Sequence, residues 1–218
     1  MDEQRSLEEN TAFSSFVEGK IKWWFDLIDV DNDGYISKDD FLIIAIRFVK
    51  EHGMEEEKAV MLKRQLVKAW ERALLKPQLF SEDDQNPEMR EDVPLIIKVG
   101  EELEAGHHIP KDDFSRAFGQ LINYNSLLAR NILETLVNVF FDMFDKDDDG
   151  FISPQELEVF MRCLGTDQAE MAQLALSCLD TDRDGKLSRE EYVGGWCEFL
   201  LSQQLDHQFI TAFAPHFS

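Results

Sequence analysis

Apolar residues recur along this chain every three to four positions, the spacing of one face of an α-helix. Near the start, this spacing runs through Ile21, Trp24, Phe25 and Ile28 and predicts a helix over about residues 14–28. The same spacing predicts further helices over about residues 41–53, 55–76, 93–104, 111–124, 127–144, 154–163, 168–179 and 188–202. Because every element that we can place is helical, we predict an all-α fold.

Three twelve-residue loops between these helices carry Asp at positions 1, 3 and 5, Gly at position 6 and a carboxylate at position 12. They are loop 1 (Asp29–Asp40), loop 3 (Asp145–Glu156) and loop 4 (Asp180–Glu191). Calcium takes six to eight oxygen ligands, which such a loop supplies from positions 1, 3, 5, 7, 9 and 12, with position 7 using its backbone carbonyl. The predicted ligands are Asp29, Asp31, Asp33, Tyr35, Ser37 and Asp40; Asp145, Asp147, Asp149, Phe151, Ser153 and Glu156; and Asp180, Asp182, Asp184, Lys186, Ser188 and Glu191.

The three loops differ at their closing residue. Loops 3 and 4 satisfy every position of the calcium-loop motif, whereas loop 1 ends in Asp40 instead of Glu. Asp is one methylene shorter and reaches an ion less easily through both oxygens, which favours the six-coordinate geometry of magnesium. We therefore expect loop 1 to discriminate Ca²⁺ from Mg²⁺ less well than loops 3 and 4.

The spacing of the loops predicts a fourth helix–loop–helix unit, or hand, without a metal. Loops 3 and 4 start 35 residues apart (145 to 180), as expected of a pair, but loop 1 starts 116 residues before loop 3 (29 to 145). Aligning Tyr35–Phe41 with His108–Phe114 finds the missing partner, in which Ile109 takes the apolar position 8. Gly106 and Pro110 stand at ligand positions, so this loop 2 is structural. A transition-metal site at the adjacent His107 and His108 is a weaker alternative, because no third ligand is evident.

These features divide the chain into two hand pairs. We predict an N-terminal pair over residues 14–125 with an inserted segment at about 76–106, and a C-terminal pair over residues 126–202. The remaining residues, 203–218, include Phe209, Ile210 and Phe213. Because this tail is too apolar to favour exposure to water, we expect it to pack on the core.

Acidic residues outnumber basic ones by 44 to 22, giving a net charge of −22. This excess argues against nucleic acid and anionic membranes as partners and suits bound cations. No apolar run approaches the ~20 residues that span a bilayer, so stable membrane insertion is not expected. Three cysteines without close spacing, Cys163, Cys178 and Cys197, indicate free thiols. The N-terminus lacks a secretion signal, and we expect a cytoplasmic protein.

Four hands with the second one lacking ligands resemble the invertebrate sarcoplasmic calcium-binding proteins and the related calexcitin group of the EF-hand superfamily. The resemblance is carried by Trp24–Asp29 before loop 1, Phe141–Asp145 before loop 3 and Cys178–Asp182 at loop 4. It implies an intracellular, monomeric Ca²⁺ and Mg²⁺ buffer. The Phe-rich helix faces agree, since Phe140, Phe141, Phe144 and Phe160 should close the core of one hand pair.

Two alternatives remain open. A calcium sensor of the calexcitin kind would bind a target protein, although only Met143 and Met161 lie near hand 3 to line its groove. The same pattern, in which loops 1, 3 and 4 keep their ligand sets, also resembles that of the coelenterazine-binding proteins and calcium-activated photoproteins. That resemblance implies a ligand carrier whose cavity Trp23, Trp24, Trp70 and Trp196 could line. No catalytic constellation is evident, so we expect a binding protein and not an enzyme.

Overall fold

The computed structural model describes residues 17–70, 108–165 and 169–202. Within these ranges the fold is all-α, with four two-residue strands in the loops, and no helix is long and apolar enough to cross a membrane. The helices are α1 (17–28), α2 (Lys38–His52), α3 (Glu56–Trp70), α4 (Lys111–Tyr124), α5 (Ser126–Phe144), α6 (Pro154–Cys163), α7 (Ala169–Leu179) and α8 (Arg189–Leu201). The strands are β1 (Tyr35–Ile36), β2 (Ile109–Pro110), β3 (Phe151–Ile152) and β4 (Leu187–Ser188).

The loops pair through these strands, as position 8 of each loop predicts. Strand β1 pairs antiparallel with β2 and places Ile36 opposite Ile109. Strand β3 pairs antiparallel with β4 and places Ile152 opposite Leu187. The alignment that located loop 2 is therefore confirmed in its register: the loop without a ligand set is the structural partner of loop 1.

The exit helices of loops 1, 3 and 4 begin at serine caps. Ser37, Ser153 and Ser188 have extended backbones and accept hydrogen bonds from the first turn of α2, α6 and α8. In each case the carboxylate three residues later accepts a bond from the backbone N–H of the serine, which completes a capping box. The residue that closes the loop thus also fixes the start of its exit helix.

One hydrophobic cluster contains buried residues of both predicted hand pairs. Helix α2 of hand 1 packs against α6 of hand 3, and α3 packs against α5. Aromatic rings bridge the pairs: Phe41 stacks on Phe140 at 6.1 Å between centroids, and Phe48 meets Phe144 edge-on at 5.3 Å. The prediction that Phe140 and Phe144 lock one pair was therefore too narrow, because their rings also contact the other pair.

The described helices agree with the predicted ones to within a few residues. Helix α3 differs from the apolar face that Val60, Leu66 and Trp70 predict: Ala59 and Leu66 are buried, whereas Val60 is 60% exposed. The buried positions lie seven residues apart on one stripe, and the residue after Ala59 is turned away from it. The residues before 17, the segment at about 76–106, the helix at about 93–104, the side chain of Trp70 and the tail 203–218 lie outside the described part of the chain.

Candidate metal sites

Loop 3 folds around the carboxylate of Asp145. Its Oδ1 atom accepts a hydrogen bond from the backbone N–H of Asp149 at 3.0 Å, and its Oδ2 atom accepts one from Gly150 at 3.0 Å. Gly150 has a φ of +85°, a conformation that only glycine adopts without a steric cost. This turn brings one carboxylate oxygen each from Asp145, Asp147 and Glu156 within 4.8 Å of one another.

Glu156 joins the two ends of loop 3. Its Oε1 atom accepts a hydrogen bond from Lys146 N at 2.9 Å, and its Oε2 atom accepts bonds from Ser153 N at 2.8 Å and Ser153 Oγ at 2.7 Å. Positions 2 and 9 of the loop are therefore held by one side chain at position 12. This arrangement aims the carboxylate at the cluster and limits its rotation.

Loop 4 has the same design with more hydrogen bonds. Carboxylate oxygens of Asp180, Asp182 and Glu191 lie within 4.8 Å of one another. Glu191 accepts bonds from the backbone N–H and the hydroxyl of Thr181, both at 2.9 Å, and from those of Ser188, at 2.9 and 2.8 Å. Burial raises the pKa of Glu191, but the bonds from Ser188 and Thr181 outweigh it and lower the pKa to about 2.

Loop 1 reaches the same closure with the shorter side chain. Asp40 accepts a hydrogen bond from Val30 N at 3.1 Å through Oδ1 and one from Ser37 N at 2.7 Å through Oδ2. These are positions 2 and 9, as in loop 3. Carboxylate oxygens of Asp29, Asp31 and Asp40 lie within 4.8 Å of one another. Aspartate at position 12 therefore still belongs to the acidic cluster.

The environment of Asp40 sets it apart from Glu156 and Glu191. Asp40 is fully buried, whereas both glutamates are half-buried. Burial raises the pKa of Asp40 to about 6, with the carboxylates of Asp31 and Asp29 adding to the shift and the Ser37 and Val30 hydrogen bonds opposing it. The short side chain thus holds its carboxylate deeper in the protein, where its negative charge is more costly.

The aspartates at position 5 make different contacts. Asp33, Asp149 and Asp184 each accept a hydrogen bond from the backbone N–H two residues later, at 2.9, 2.8 and 3.0 Å. In the described part of the chain, the three acidic clusters contain positions 1, 3 and 12 and leave position 5 at the loop surface. The structure therefore brings three of the four predicted carboxylates together in each loop and leaves the fourth, at position 5, outside the cluster.

The residues at positions 7 and 9 also have structural roles. Those at position 7 contact the paired loop, and those at position 9 cap the exit helices. The rings of Tyr35 and His108 meet edge-on at 5.3 Å across β1 and β2. Across β3 and β4, the Nζ atom of Lys186 lies 3.1 Å from the centroid of the Phe151 ring. Position 9 holds Ser37, Ser153 and Ser188, whose side chains cap the exit helices. His108 thus packs on loop 1, and no metal cluster of the described residues includes it.

Sequence reasoning missed a buried lysine that joins the first and last of the described helices. Lys20 is fully buried, and its Nζ atom donates hydrogen bonds to the carbonyl oxygens of Phe199, at 2.7 Å, and Ser202. Burial lowers its pKa to about 8. A signal was present in the sequence, since Lys20 lies three residues after Val17 and four before Trp24, on the apolar face of α1.

The three acidic clusters fit a hard divalent cation. Each offers only oxygen atoms and carries several carboxylates within a small volume, a donor set that suits Ca²⁺ or Mg²⁺ better than a transition metal. In each loop, backbone N–H groups orient the carboxylates through short hydrogen bonds. The carboxylates of loops 1, 3 and 4 could therefore each hold such an ion.

Comparison with protein families gives two matches that coincide with these loops. A profile described as an EF-hand domain pair matches residues 134–197, which contain loops 3 and 4. A profile described as an EF hand matches residues 21–44, which contain loop 1.

Two relatives align over most of the chain. The luciferin-binding protein of Renilla reniformis is 24% identical over 184 residues, covering 83% of this chain and 84% of the relative. The sarcoplasmic calcium-binding protein of Hediste diversicolor is 28% identical over 149 residues, covering 68% and 70%.

Solved structures show the same fold. The coelenterazine-binding protein of Renilla muelleri, in its calcium-loaded apo form, superposes with a TM-score of 0.67 at 21% identity, covering 92% of this chain and 96% of that one. The ctenophore photoprotein berovin, whose three calcium-binding loops all bind magnesium, gives a TM-score of 0.54 at 20% identity, covering 84% and 87%. Loops 1, 3 and 4 all lie in regions that match EF-hand models, and the chain therefore contains EF-hand domains.

Proposed function

We propose that this chain is a calcium buffer with three ion sites, in loops 1, 3 and 4, and that it acts as a cytoplasmic monomer by binding and not by catalysis. The observation that carries the proposal is the closed interior that the two hand pairs share. Helix α2 of hand 1 and α6 of hand 3 face each other, so the apolar side of each covers the other. The sarcoplasmic relative supports the same reading. The three cysteines, all free thiols, suit a reducing compartment.

A sensor would need a groove that opens to a target helix, and the residues suited to line it are engaged elsewhere. Met143 and Met161 are only 3% and 2% exposed. Phe140 and Phe144, which would lie beside them, contact rings of the other hand pair: Phe140 stacks on Phe41, and Phe144 meets Phe48 edge-on. Opening either pair would therefore expose several aromatic rings to water, at a cost of roughly 25 cal/mol per Å² of apolar surface.

Magnesium is the second ion in the proposal. Loop 1 closes with the short, buried Asp40, and fewer available oxygens favour the six-coordinate geometry of Mg²⁺. That all three loops of berovin bind magnesium supports competition between the two ions in a fold of this kind. A buffer loaded with Mg²⁺ at rest would take up Ca²⁺ as Mg²⁺ leaves.

A hydrophobic dye separates the buffer from the sensor. Dye fluorescence is measured on the metal-free chain, then with Mg²⁺, then with Ca²⁺. For a closed buffer, we expect neither ion to raise the fluorescence, because ion binding leaves the shared core covered. A rise with Ca²⁺ and not with Mg²⁺ would contradict the buffer and indicate a sensor that exposes a groove. The Mg²⁺ arm controls for effects of charge neutralisation alone.

A second candidate function is the calcium-controlled binding of a hydrophobic ligand. The likeness to a luciferin-binding protein extends over 83% of the chain. In addition, an aromatic cluster joins the first and last described helices: Trp23 stacks on Trp196 at 6.2 Å, and Phe199 lies edge-on to both rings, at 5.7 and 6.1 Å. The Nζ atom of buried Lys20 lies 5.6 Å from the centroid of the Phe199 ring.

Titration with coelenterazine tests this second candidate. Tryptophan fluorescence is followed in chelator and in Ca²⁺, with the dye from the preceding experiment as a non-specific control. Saturable quenching at one ligand per chain that depends on Ca²⁺ would support a carrier. Quenching that rises without saturation, or is equal for the control dye, would leave the buffer as the function.

A further inference from the structure

Arg47, on the exit helix of loop 1, connects two hands through its guanidinium group. Its Nη2 atom donates a hydrogen bond to the carbonyl oxygen of Val30 at 3.1 Å, and its Nη1 atom donates one to the carbonyl oxygen of Cys163 at 2.9 Å. Val30 belongs to loop 1, and Cys163 is the last residue of α6. One planar, charged side chain thus links loop 1 to the exit helix of loop 3.

Each end of this link continues to a predicted metal ligand. The peptide of Val30 follows Asp29, and its own N–H group donates to Asp40 Oδ1 at 3.1 Å. At the other end, α6 is a helix of ten residues whose capping box includes Glu156, the closing carboxylate of loop 3. Hydrogen bonds and one short helix therefore connect Asp40 to Glu156.

The position of Arg47 is specific to hand 1. It lies 18 residues after the start of loop 1 (29 to 47), and Cys163 lies 18 residues after the start of loop 3 (145 to 163), so equivalent positions meet at this contact. Gly165 accommodates the guanidinium: a Cβ atom at Gly165 would lie 3.1 Å from Arg47 Nη1. The local chain thus leaves room for the arginine on the side of hand 3.

We propose that Arg47 couples ion binding in loop 1 to ion binding in loop 3. The inference rests on the proposed function, since both loops must hold an ion. Binding in loop 1 fixes the Asp40 carboxylate and, with it, the Val30 peptide. The rigid fork of Arg47 then holds the end of α6, which steadies Glu156 for the ion in loop 3. By reciprocity, an ion in loop 3 strengthens binding in loop 1 to the same extent.

Glycine amide signals report each loop separately in an NMR titration with Ca²⁺ on chains labelled with ¹⁵N-glycine. The amides of Gly34 and Gly150 donate to the first carboxylates of loops 1 and 3 and should respond to the ion in their own loop. Four chains are compared: unaltered, Asp29→Asn, Arg47→Met and the double variant. Weakening loop 1 by Asp29→Asn should raise the calcium midpoint of Gly150 by about fivefold or more when Arg47 is present. With Arg47→Met, the same change should shift that midpoint less than about twofold.

Arg162→Met is the matched control. Arg162 also crosses from α6 to α2, where its Nε atom lies 3.3 Å from Glu51 Oε2, but it has no contact with loop 1 among the described hydrogen bonds. This variant loses the same charge and should keep the coupling. Arg47→Lys keeps the positive charge but lacks the planar guanidinium group that donates to both carbonyls. This variant should lose most of the coupling. Melting in chelator checks that each variant folds, and Arg47→Lys serves as the test if Arg47→Met does not.

The possible results separate the coupling from the proposed function. If Gly34 and Gly150 both respond to Ca²⁺ but Asp29→Asn shifts the Gly150 midpoint equally with and without Arg47, the coupling is wrong and the buffer stands. Equal loss of coupling in Arg162→Met would also overturn the role of Arg47. If Gly34 does not respond to Ca²⁺ at any concentration, loop 1 is not a site, and both the three-site function and the coupling are refuted.

Discussion

Loop 1 and loop 4 bind their closing carboxylates through the same two positions and yet give them opposite properties. Asp40 and Glu191 both accept bonds from residues 2 and 9 of their loops. In loop 4 the Thr181 and Ser188 hydroxyls donate as well, and the pKa of Glu191 lies at about 2. In loop 1 the carboxylate is fully buried, and burial raises the pKa of Asp40 to about 6. The closing carboxylate of loop 1 therefore has less solvent and fewer donors, since Val30 stands where loop 4 has Thr181 and offers no hydroxyl.

The exit helices of the two loops also pack against different neighbours. Helix α8 packs on α7 of its own hand, where Gly195 approaches Leu179 so closely that a Cβ atom would lie 2.1 Å from Leu179 Cδ2. It also packs on α5 of hand 3 and is joined to α1 through Lys20 and Trp23. Helix α2 is held across the hand pairs, through Arg47 and the stacking of Phe41 on Phe140. Both exit helices thus contact the other half of the chain, but through different partners: α2 contacts α5 and α6, and α8 contacts α1.

The largest expected effect is the loss of the closing charge in loop 4. Glu191→Gln keeps the shape but removes the charge and leaves one oxygen to accept the bonds that two now share. We expect calcium affinity in loop 4 to fall about 100-fold, the size of losing a strong charge-assisted interaction. The Gly185 amide signal in a calcium titration measures it. The exposed neighbour supplies the control, since Glu190→Gln removes an equal charge and should change the affinity little. Similar losses in both variants would mean that net charge and not loop closure sets the affinity.

Two adjacent glycines test how closely α8 packs on α7. Gly195→Ala forces Leu179 to move in a buried position and should lower the free energy of unfolding by about 1–2 kcal/mol. Gly194→Ala has no atom within 4 Å of the new Cβ and should raise it by up to about 1 kcal/mol through helix propensity. Chemical denaturation of the metal-free chain measures both. The same sign of change in the two variants would show that α7 and α8 are not packed as described.

Lowering the pH should weaken loop 1 more than loop 4. The ion binds ionised carboxylates, so a proton on Asp40 competes with it. With a pKa of about 6, the ionised fraction of Asp40 falls about fourfold between pH 7.5 and 5.5, while that of Glu191 barely changes. The calcium midpoint reported by Gly34 should rise about fourfold more than that of Gly185. Parallel shifts of the two signals would contradict the burial of Asp40.

In the metal-free chain, ionisation of Asp40 should change stability with pH in the opposite direction to ionisation of an ordinary carboxylate in an ion pair. Because the pKa of Asp40 is higher in the folded state than the ordinary aspartate value of 3.8, the folded chain binds more protons between pH 4 and 6. Ionising Asp40 therefore destabilises the metal-free fold as the pH rises through this range. Asp40→Asn should flatten that part of the stability profile, and an unchanged profile would show that other groups cause it.

Exchanging the closing residues should move ion selectivity by a smaller factor. Asp40→Glu lengthens the side chain in loop 1 and should make its calcium binding less sensitive to millimolar Mg²⁺, and Glu191→Asp should make loop 4 more sensitive. We expect about threefold changes, because one methylene added to a buried site also introduces strain. Calcium titrations with and without Mg²⁺ measure both. If neither exchange alters the effect of Mg²⁺, the closing residue does not set selectivity.

The sequence predicted the parts of the fold that depend on local spacing. The twelve-residue loops fix which carboxylates meet, and an apolar position 8 located Ile109 as the partner of Ile36, although the rest of loop 2 has no ligand set. Contacts between distant segments were not predictable in this way. Lys20 meets Phe199 and Arg47 meets Cys163 only because the hands pack together, and neither spacing nor composition specifies that packing. The burial of Asp40 also depends on this packing.

Our expectation is that loops 1, 3 and 4 each hold an ion although their closing residues differ. Calorimetric titration with Ca²⁺ in the absence and presence of millimolar Mg²⁺, with Gly34, Gly150 and Gly185 followed by NMR under the same conditions, tests it most directly. We expect three calcium ions per chain, with Mg²⁺ weakening calcium binding most in loop 1. Two ions per chain with a silent Gly34 signal, or equal sensitivity to Mg²⁺ in all three loops, would contradict it.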